Sequence, residues 1–250
     1  IEVCLVGSEM CIRDSANRLG ANSLLSCIYT GLMMGPGVNN YLKNLPEAAS
    51  QLPSSVFEND EKRWKERFSD ISSMKGSENP YALHSELAEA MISNVLIVRE
   101  NDKLQSTLDV IEDIESRWKD IECVDTQDWS NPVPSFVNQL WNMIQLSKII
   151  TMGALKRDEF RGSHYKPEFD LNQPDDFDPA DYLEYEEQKA NGGVHKDQFA
   201  PSHVDYMERF EKNNEDWLKS SIATYNNGKP AVDFESVDTS LIAPRPRKYD

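Results

Sequence analysis

A chain of 250 residues with 39% hydrophobic residues and a formal charge of −17 can hold one large domain or two small ones, each with a core. The acidic balance argues against nucleic acid and against direct docking on anionic lipid, both of which need clustered Lys and Arg. No window approaches a membrane-spanning length without a charge or a strongly polar break, so any membrane association has to pass through a partner.

Taken in chain order, residues 1–15 open with the apolar run Val3–Val6, which on its own reads as a short strand ended by Gly7. The segment CLVGSEMCIRDS, however, resembles what a common transposon-based sequencing adapter encodes in frame, Met-Cys-Ile-Arg-Asp corresponding to ATG TGT ATA AGA GAC. Residues 1–15 are therefore read as a non-native leader and kept out of the fold reasoning. Cys4 and Cys11 fall in it; Cys27 lies on an apolar helix face and Cys123 in an acidic loop. Two unpaired thiols fit a reducing cytoplasm.

The first stretch with chemical character is Asn17-Arg18-Leu19-Gly20-Ala21-Asn22-Ser23-Leu24-Leu25. The Arg18 guanidinium is a planar fork of donors suited to a carboxylate or phosphate, Gly20 frees the backbone to turn, and Asn22 or Ser23 can cap a helix. Leu24, Leu25, Cys27, Ile28, Leu32 and Met33 recur at helical spacing, which turns the first-turn amides and the positive end of the helix dipole toward Arg18. The spacing predicts a helix over 23–34, ended by Gly35-Pro36-Gly37, then a shorter amphipathic piece through Tyr41, Leu42 and Leu45. An arginine at a loop-to-helix junction is also common as plain structure, so the residues alone leave both readings open.

Residues 46–55 read as a polar linker, and Trp64, Phe68 and Ile71 lie at i, i+4 and i+7 in a heavily charged helix. From Pro80 the pattern is that of a helical bundle. Leu83, Leu87, Met91 and Val95 give one apolar face; Leu104, Leu108, Ile111, Trp118 and Ile121 a second; Phe136, Leu140, Met143 and Ile150 a third. Three such faces can be buried only against one another, with the Met and aromatic residues as core. Asn101-Asp102 and residues 125–132 serve as the connections.

After Lys156 the periodicity fades, and Arg157–Tyr165 is dense in hydrogen-bonding groups. Glu159, Arg161 and His164 can form a charge-assisted network there; His164 as an acid or base is the weaker alternative. Residues 171–213 carry Asp175, Asp176, Asp178, Asp181, Glu184, Glu186 and Glu187, then Gly192-Gly193. Calcium-loop spacing is absent, and His195 and His203 have no ligand partners at metal spacing, so no metal site is expected. The segment reads as a solvated surface insertion, its second half (Val204, Met207, Phe210, Trp217, Leu218) helical and able to pack on the bundle. Residues 232–241 read as a strand, and Pro244-Arg245-Pro246-Arg247-Lys248 as an extended basic tail that clamps onto the acidic body or onto a partner subunit.

Three separated stretches, ANRLGANSLLS from Ala16, GALKRDEFRGSHYKPEF from Gly153 and DTSLIAPRPRKYD from Asp238, resemble in order the C-terminal part of the flavoprotein subunit of succinate dehydrogenase and fumarate reductase. The likeness runs from Ala16 to the end with one departure: family members pass almost directly from HYKPEF to a segment like Asn214–Leu218, without residues 171–213. The resemblance implies an α-rich fragment, the end of an FAD-binding α/β domain followed by a helical-bundle C-terminal domain and an irregular tail. Its parts are 16–45 (edge of the FAD-binding domain), 46–78 (linker and charged helix), 79–160 (bundle) and 161–250 (C-terminal region with the acidic insertion).

The resemblance further implies FAD as the cofactor of the full-length protein and succinate and fumarate as its substrate and product. A hydride passes to flavin and a proton to an upstream arginine; the electrons continue to an iron–sulfur subunit, then through a membrane anchor to quinone. The implied location is cytoplasmic, on the inner face of the cell membrane, held there by partner subunits. On the same footing Arg18 matches the arginine that binds a substrate carboxylate, and Ser23 and Leu24 match positions that meet the isoalloxazine. No catalytic residue is implied within the chain, because the dinucleotide fingerprint, the proton-donating arginine and the substrate cap lie upstream; the 250 residues alone would neither hold FAD nor turn over. The rivals are a free-standing helical interaction module without catalysis and a relative of L-aspartate oxidase, which lacks the long match through SHYKPEF. Fumarate reduction and succinate oxidation use the same residues, so direction stays open.

Overall fold

The computed structural model describes residues 22–125, 127, 129–162, 164–226, 229–240 and 243–246. The leader at 1–15, Arg18, Arg247 and Lys248 lie outside the described residues. Among those described, the elements are helices α1 (Asn22–Lys43), α2 (Ser54–Ser72), α3 (Pro80–Asn94), α4 (Asn101–Arg117), α5 (Val133–Lys156), α6 (Pro179–Ala190) and α7 (Pro201–Trp217), with strands β1 (Lys219–Asn226) and β2 (Lys229–Ser236). They fall into two compact units, one over 22–92 and 107–148, the other over 93–106 and 149–246.

In the first unit α1 runs straight through the expected stop, with Pro36 inside the helix. A proline removes one intrahelical hydrogen bond and crowds the carbonyl four residues back; with regular turns on both sides the defect stays local. Side chains attached at Gly31, Gly35 or Gly37 would meet nothing, and the large apolar residues of α1 are exposed: Ile28 61%, Leu32 69%, Tyr41 66%. Along α2, Ile71 alone is buried, while Trp64 and Phe68 lean on each other at 6.1 Å and remain open to solvent.

The bundle core joins Ile71 to Leu83 and Leu87 of α3, Ile111 and Ile114 of α4, Trp118, Ile121 and Cys123 beyond it, and Val137, Leu140 and Ile144 of α5. On α5 the inward phase is thus 137-140-144 rather than the expected 136-140-143-150, and Met143 and Ile150 are exposed. The helix carries apolar residues on more than one side, so two phases fit its periodicity; Phe136 instead stacks on Tyr81 at 4.5 Å. Trp118 fixes the observed phase by donating from Nε1 to the Val137 carbonyl at 3.0 Å. The α3–α4 connection is 95–100, and Asn101-Asp102 open α4 instead of linking to it. Cys123 sits in a loop by backbone but its side chain is core, and burial pushes the thiol pKa up. The chain beside it closes so tightly that a Cβ on Gly76 would lie 1.9 Å from the Asp120 carbonyl oxygen.

The second unit overturns the reading of 171–213 as a merely solvated insertion. Asp178 caps α6 through Oδ1, which accepts from the Ala180 amide at 2.8 Å, and Pro179 opens the helix. Phe177, Tyr182, Tyr185, Phe199, Val204, Tyr206 and Met207 form a core of their own, so Val204 and Met207 pack on the insertion's own aromatics. The carboxylates Asp175, Glu184 and Glu187 stay on the outer face of the same segment. Ion pairs from Lys189 to Glu211 and from Lys196 to Glu208 tie α6 and the loop after it to α7. The expected strand at 232–241 is found at Lys229–Ser236, paired antiparallel with the unexpected β1, from Lys219↔Ser236 to Asn226↔Lys229. Of the basic tail, Arg245 lies 3.7 Å from Glu186, a clamp onto the acidic body.

Candidate functional site

The sequence points to three residues at the head of α1. Ser23 and Leu24 stand in its first described turn. Arg18 lies outside the described residues, so the structure neither joins it to this turn nor separates it.

The second candidate, the segment after α5, is described in detail. Glu159 is fully buried. Arg157 Nη1 donates to its Oε1, Arg161 Nε to its Oε2 at 2.8 Å, and Asn213 to the same oxygen at 3.3 Å. Arg161 also reaches Asn214 Oδ1 at 2.8 Å. Arg157 goes further: it donates to the carbonyls of Trp217 and Lys219 and lies over the rings of Trp217 and Phe234. One carboxylate thereby holds two arginines, and these hold the end of α7 and the start of β1.

His164 takes no part in that ion pair. Arg99 donates to its Nδ1 at 2.7 Å, and its Nε2 lies 2.7 Å from the Arg157 carbonyl. A guanidinium can only donate and a carbonyl can only accept, so the ring is neutral with its proton on Nε2. Burial is the main cause that pushes its pKa down to about 3, with Arg99, Lys166 and Arg157 adding to it. A ring so held exchanges no proton near neutral pH, which removes His164 as an acid or base. Lys166, 1% exposed, donates to Asn101 Oδ1 at 2.7 Å, to the Leu155 carbonyl at 3.1 Å and to Asp158 at 3.0 Å. Burial pulls its pKa down against the pull of Asp158. Sequence reasoning missed Arg99, Asn101 and Lys166; nothing in the spacing of a lysine between Tyr165 and Pro167 marks it as buried. The cluster is an anchor whose buried side-chain atoms all have partners.

In the insertion, His203 is buried with Nδ1 2.9 Å from Asp181 Oδ2 and Nε2 3.3 Å from Asp176 Oδ1, and its ring is edge-on to Phe177 at 5.4 Å. Burial opposes its charged form, but the two carboxylates outweigh it and raise the pKa. Among the described residues no three His, Cys, Asp or Glu side chains are placed to hold a metal ion, and no helix is long and apolar enough to cross a membrane.

Comparison with known proteins gives this geometry a context. A family model described as fumarate reductase flavoprotein C-term matches residues 84–249. The succinate dehydrogenase flavoprotein subunit of Bacillus subtilis (strain 168) is 40% identical over 235 residues, taking in 93% of this chain and 33% of that protein. The flavoprotein subunit of the 8-methylmenaquinol:fumarate reductase of Wolinella succinogenes is 26% identical over 194 residues, 76% of this chain and 30% of that protein. A solved quinol-fumarate reductase with menaquinol molecules shares the fold, with a TM-score of 0.64 at 19% identity over 91% of this chain and 32% of its own. The chain spans about a third of the length of the curated relatives it matches.

Proposed function

Since the chain belongs to the fumarate reductase and succinate dehydrogenase flavoprotein family, we propose that it is the C-terminal part of a succinate dehydrogenase flavoprotein subunit, which oxidises succinate to fumarate with FAD. The observation that carries this reading is α1. Ile28, Tyr29, Leu32, Met33, Tyr41 and Leu42 surround the helix and are more than half exposed, and a helix apolar all round is a helix built to be covered. Fully covering one such side chain contributes roughly 1.5–3 kcal/mol. The cover proposed is the FAD-binding domain of the full-length subunit.

Ser23 and Leu24, in the first described turn of α1, would meet one edge of the flavin ring in this reading, where helix-start amides are donors suited to its polar atoms. FAD, when bound, supplies the two-electron oxidant. Arg18 would hold a substrate carboxylate bidentately, orient the dicarboxylate and stabilise negative charge as it develops. The anchor of Arg157, Glu159 and Arg161 would keep the C-terminal hairpin in place, and His164, neutral and bonded on both sides, would move no proton. The further partners in this reading are an iron–sulfur subunit with, behind it, a membrane anchor, which would hold the protein on the inner face of the cell membrane. Succinate oxidation is preferred over fumarate reduction because the 40% relative is a succinate dehydrogenase subunit.

Purification of the 250-residue chain with excess FAD tests the reading. It is expected to retain no flavin absorbance and to reduce no dye with succinate; a flavin-loaded chain that turns over succinate would contradict it.

A further inference from the structure

The bundle unit holds an arginine whose surroundings do not account for it. Arg67 of α2 lies with its guanidinium carbon 5.5 Å from the centroid of the Trp118 ring and 5.8 Å from that of Trp141; the two indoles are 4.8 Å apart. Nε donates to Asn138 Oδ1 at 2.7 Å, but Nη2 is buried without a hydrogen-bond partner. Three other arginines have carboxylates: Arg117 holds Glu78, Glu86 and Asp113, and Arg157 and Arg161 share Glu159. Arg67 has no such partner among the described residues, although Asp70 stands on the same cleft. Indole faces offset the charge but offer no in-plane acceptor for the guanidinium fork.

Beside Arg67 opens a cleft of about 660 Å³, a size that takes a small organic molecule. Trp118, Trp141, Met74 and Ile71 supply apolar walls, and Asn138 and Asn142 supply amides. Glu66, Asp70 and Arg63 also border it; Arg63 pairs with Asp60 and Glu66 lies 3.8 Å from Lys62, which leaves Arg67 as the lining cation without a carboxylate partner among the described residues. One guanidinium without a carboxylate partner, set against flat aromatic walls, suits a single carboxylate on a flat body.

We propose that this cleft binds a small molecule carrying one carboxylate on a flat apolar body, with the carboxylate on Arg67 and the body along the Trp118 and Trp141 wall. A guanidinium already stripped of water by two indoles recognises a carboxylate better than a hydrated ammonium would. The inference does not depend on the flavoprotein reading.

The test is a titration of the full chain with phenylacetate, benzoate and the matched neutral amides, read from the indole N–H resonances of Trp118 and Trp141. The acids are expected to shift both resonances saturably and to bind at least tenfold tighter than their amides. Arg67→Met, which fills the space between the indoles without charge, should abolish that preference. Asn138→Asp, which sets a carboxylate of the chain's own against Arg67, should abolish it too while leaving the fold intact. Equal binding of acids and amides, an unchanged preference in Arg67→Met or Asn138→Asp, or no response to any small acid with retention only of an acidic protein segment would each overturn the proposal.

Discussion

Glu159 has no exposed surface, and two guanidinium groups rest on it. Removing the carboxylate leaves like charges buried side by side, so Glu159→Ala is expected to cost about 3–5 kcal/mol in urea unfolding. His164 carries a distinct pH signature. Its folded pKa is depressed to about 3, while an unfolded histidine titrates near ~6.5. Between those values the unfolded chain binds a proton that the folded chain does not, so stability falls as pH drops through this window, at about 1.4 kcal/mol per pH unit from this group. Chemical denaturation at a series of pH values should show the slope, and His164→Gln should remove it. His203 has the opposite sign: its folded pKa is raised, so its contribution is present below about 6.5 and fades as pH rises through the folded value. The sequence announced Glu159 with Arg161, because both are charged and two residues apart in a segment without periodicity. It could not announce that His164 turns from them to Arg99, a residue that pairs with it across 65 positions of chain.

At the scale of elements, periodicity located the bundle helices but not always their faces. Leu83, Leu87, Ile111 and Leu140 are buried as their spacing demands. On α5 the apolar residues wrap far enough around the helix that only a long-range bond, Trp118 to the Val137 carbonyl, decides which edge turns inward. The insertion misleads for a different reason: its carboxylates dominate the composition, while Tyr182 and Tyr185, three apart among them, carry the fold. Phe177 is fully buried at the centre of that small core. Phe177→Ala is expected to cost about 3–5 kcal/mol, and hydrogen exchange should show amides of 177–207 losing protection while those around Leu83 and Ile111 keep theirs. β1 has a legible signal of its own, since Asn227-Gly228 between two alternating runs is a strong hairpin pattern. In α1, by contrast, the glycine–proline–glycine signal does not break the helix.

For the whole molecule, two compact units, a match to the flavoprotein C-terminal family over 84–249 and an uncovered apolar α1 point the same way. Family membership was legible because three motifs keep their order across more than two hundred residues. The proposed site is legible only as residue types, Arg18 beside Ser23 and Leu24, because Arg18 lies outside the described residues. The direct measurement is succinate-dependent dye reduction by a chimaera in which residues 16–250 follow the upstream two-thirds of the Bacillus subtilis subunit. A flavin-loaded chimaera is expected to reduce dye with succinate and to lose about 10²–10³-fold in rate with Arg18→Met, as removal of a positioned charge-stabilising donor does. A folded, flavin-loaded chimaera that leaves the dye oxidised, or one indifferent to Arg18→Met, would contradict it.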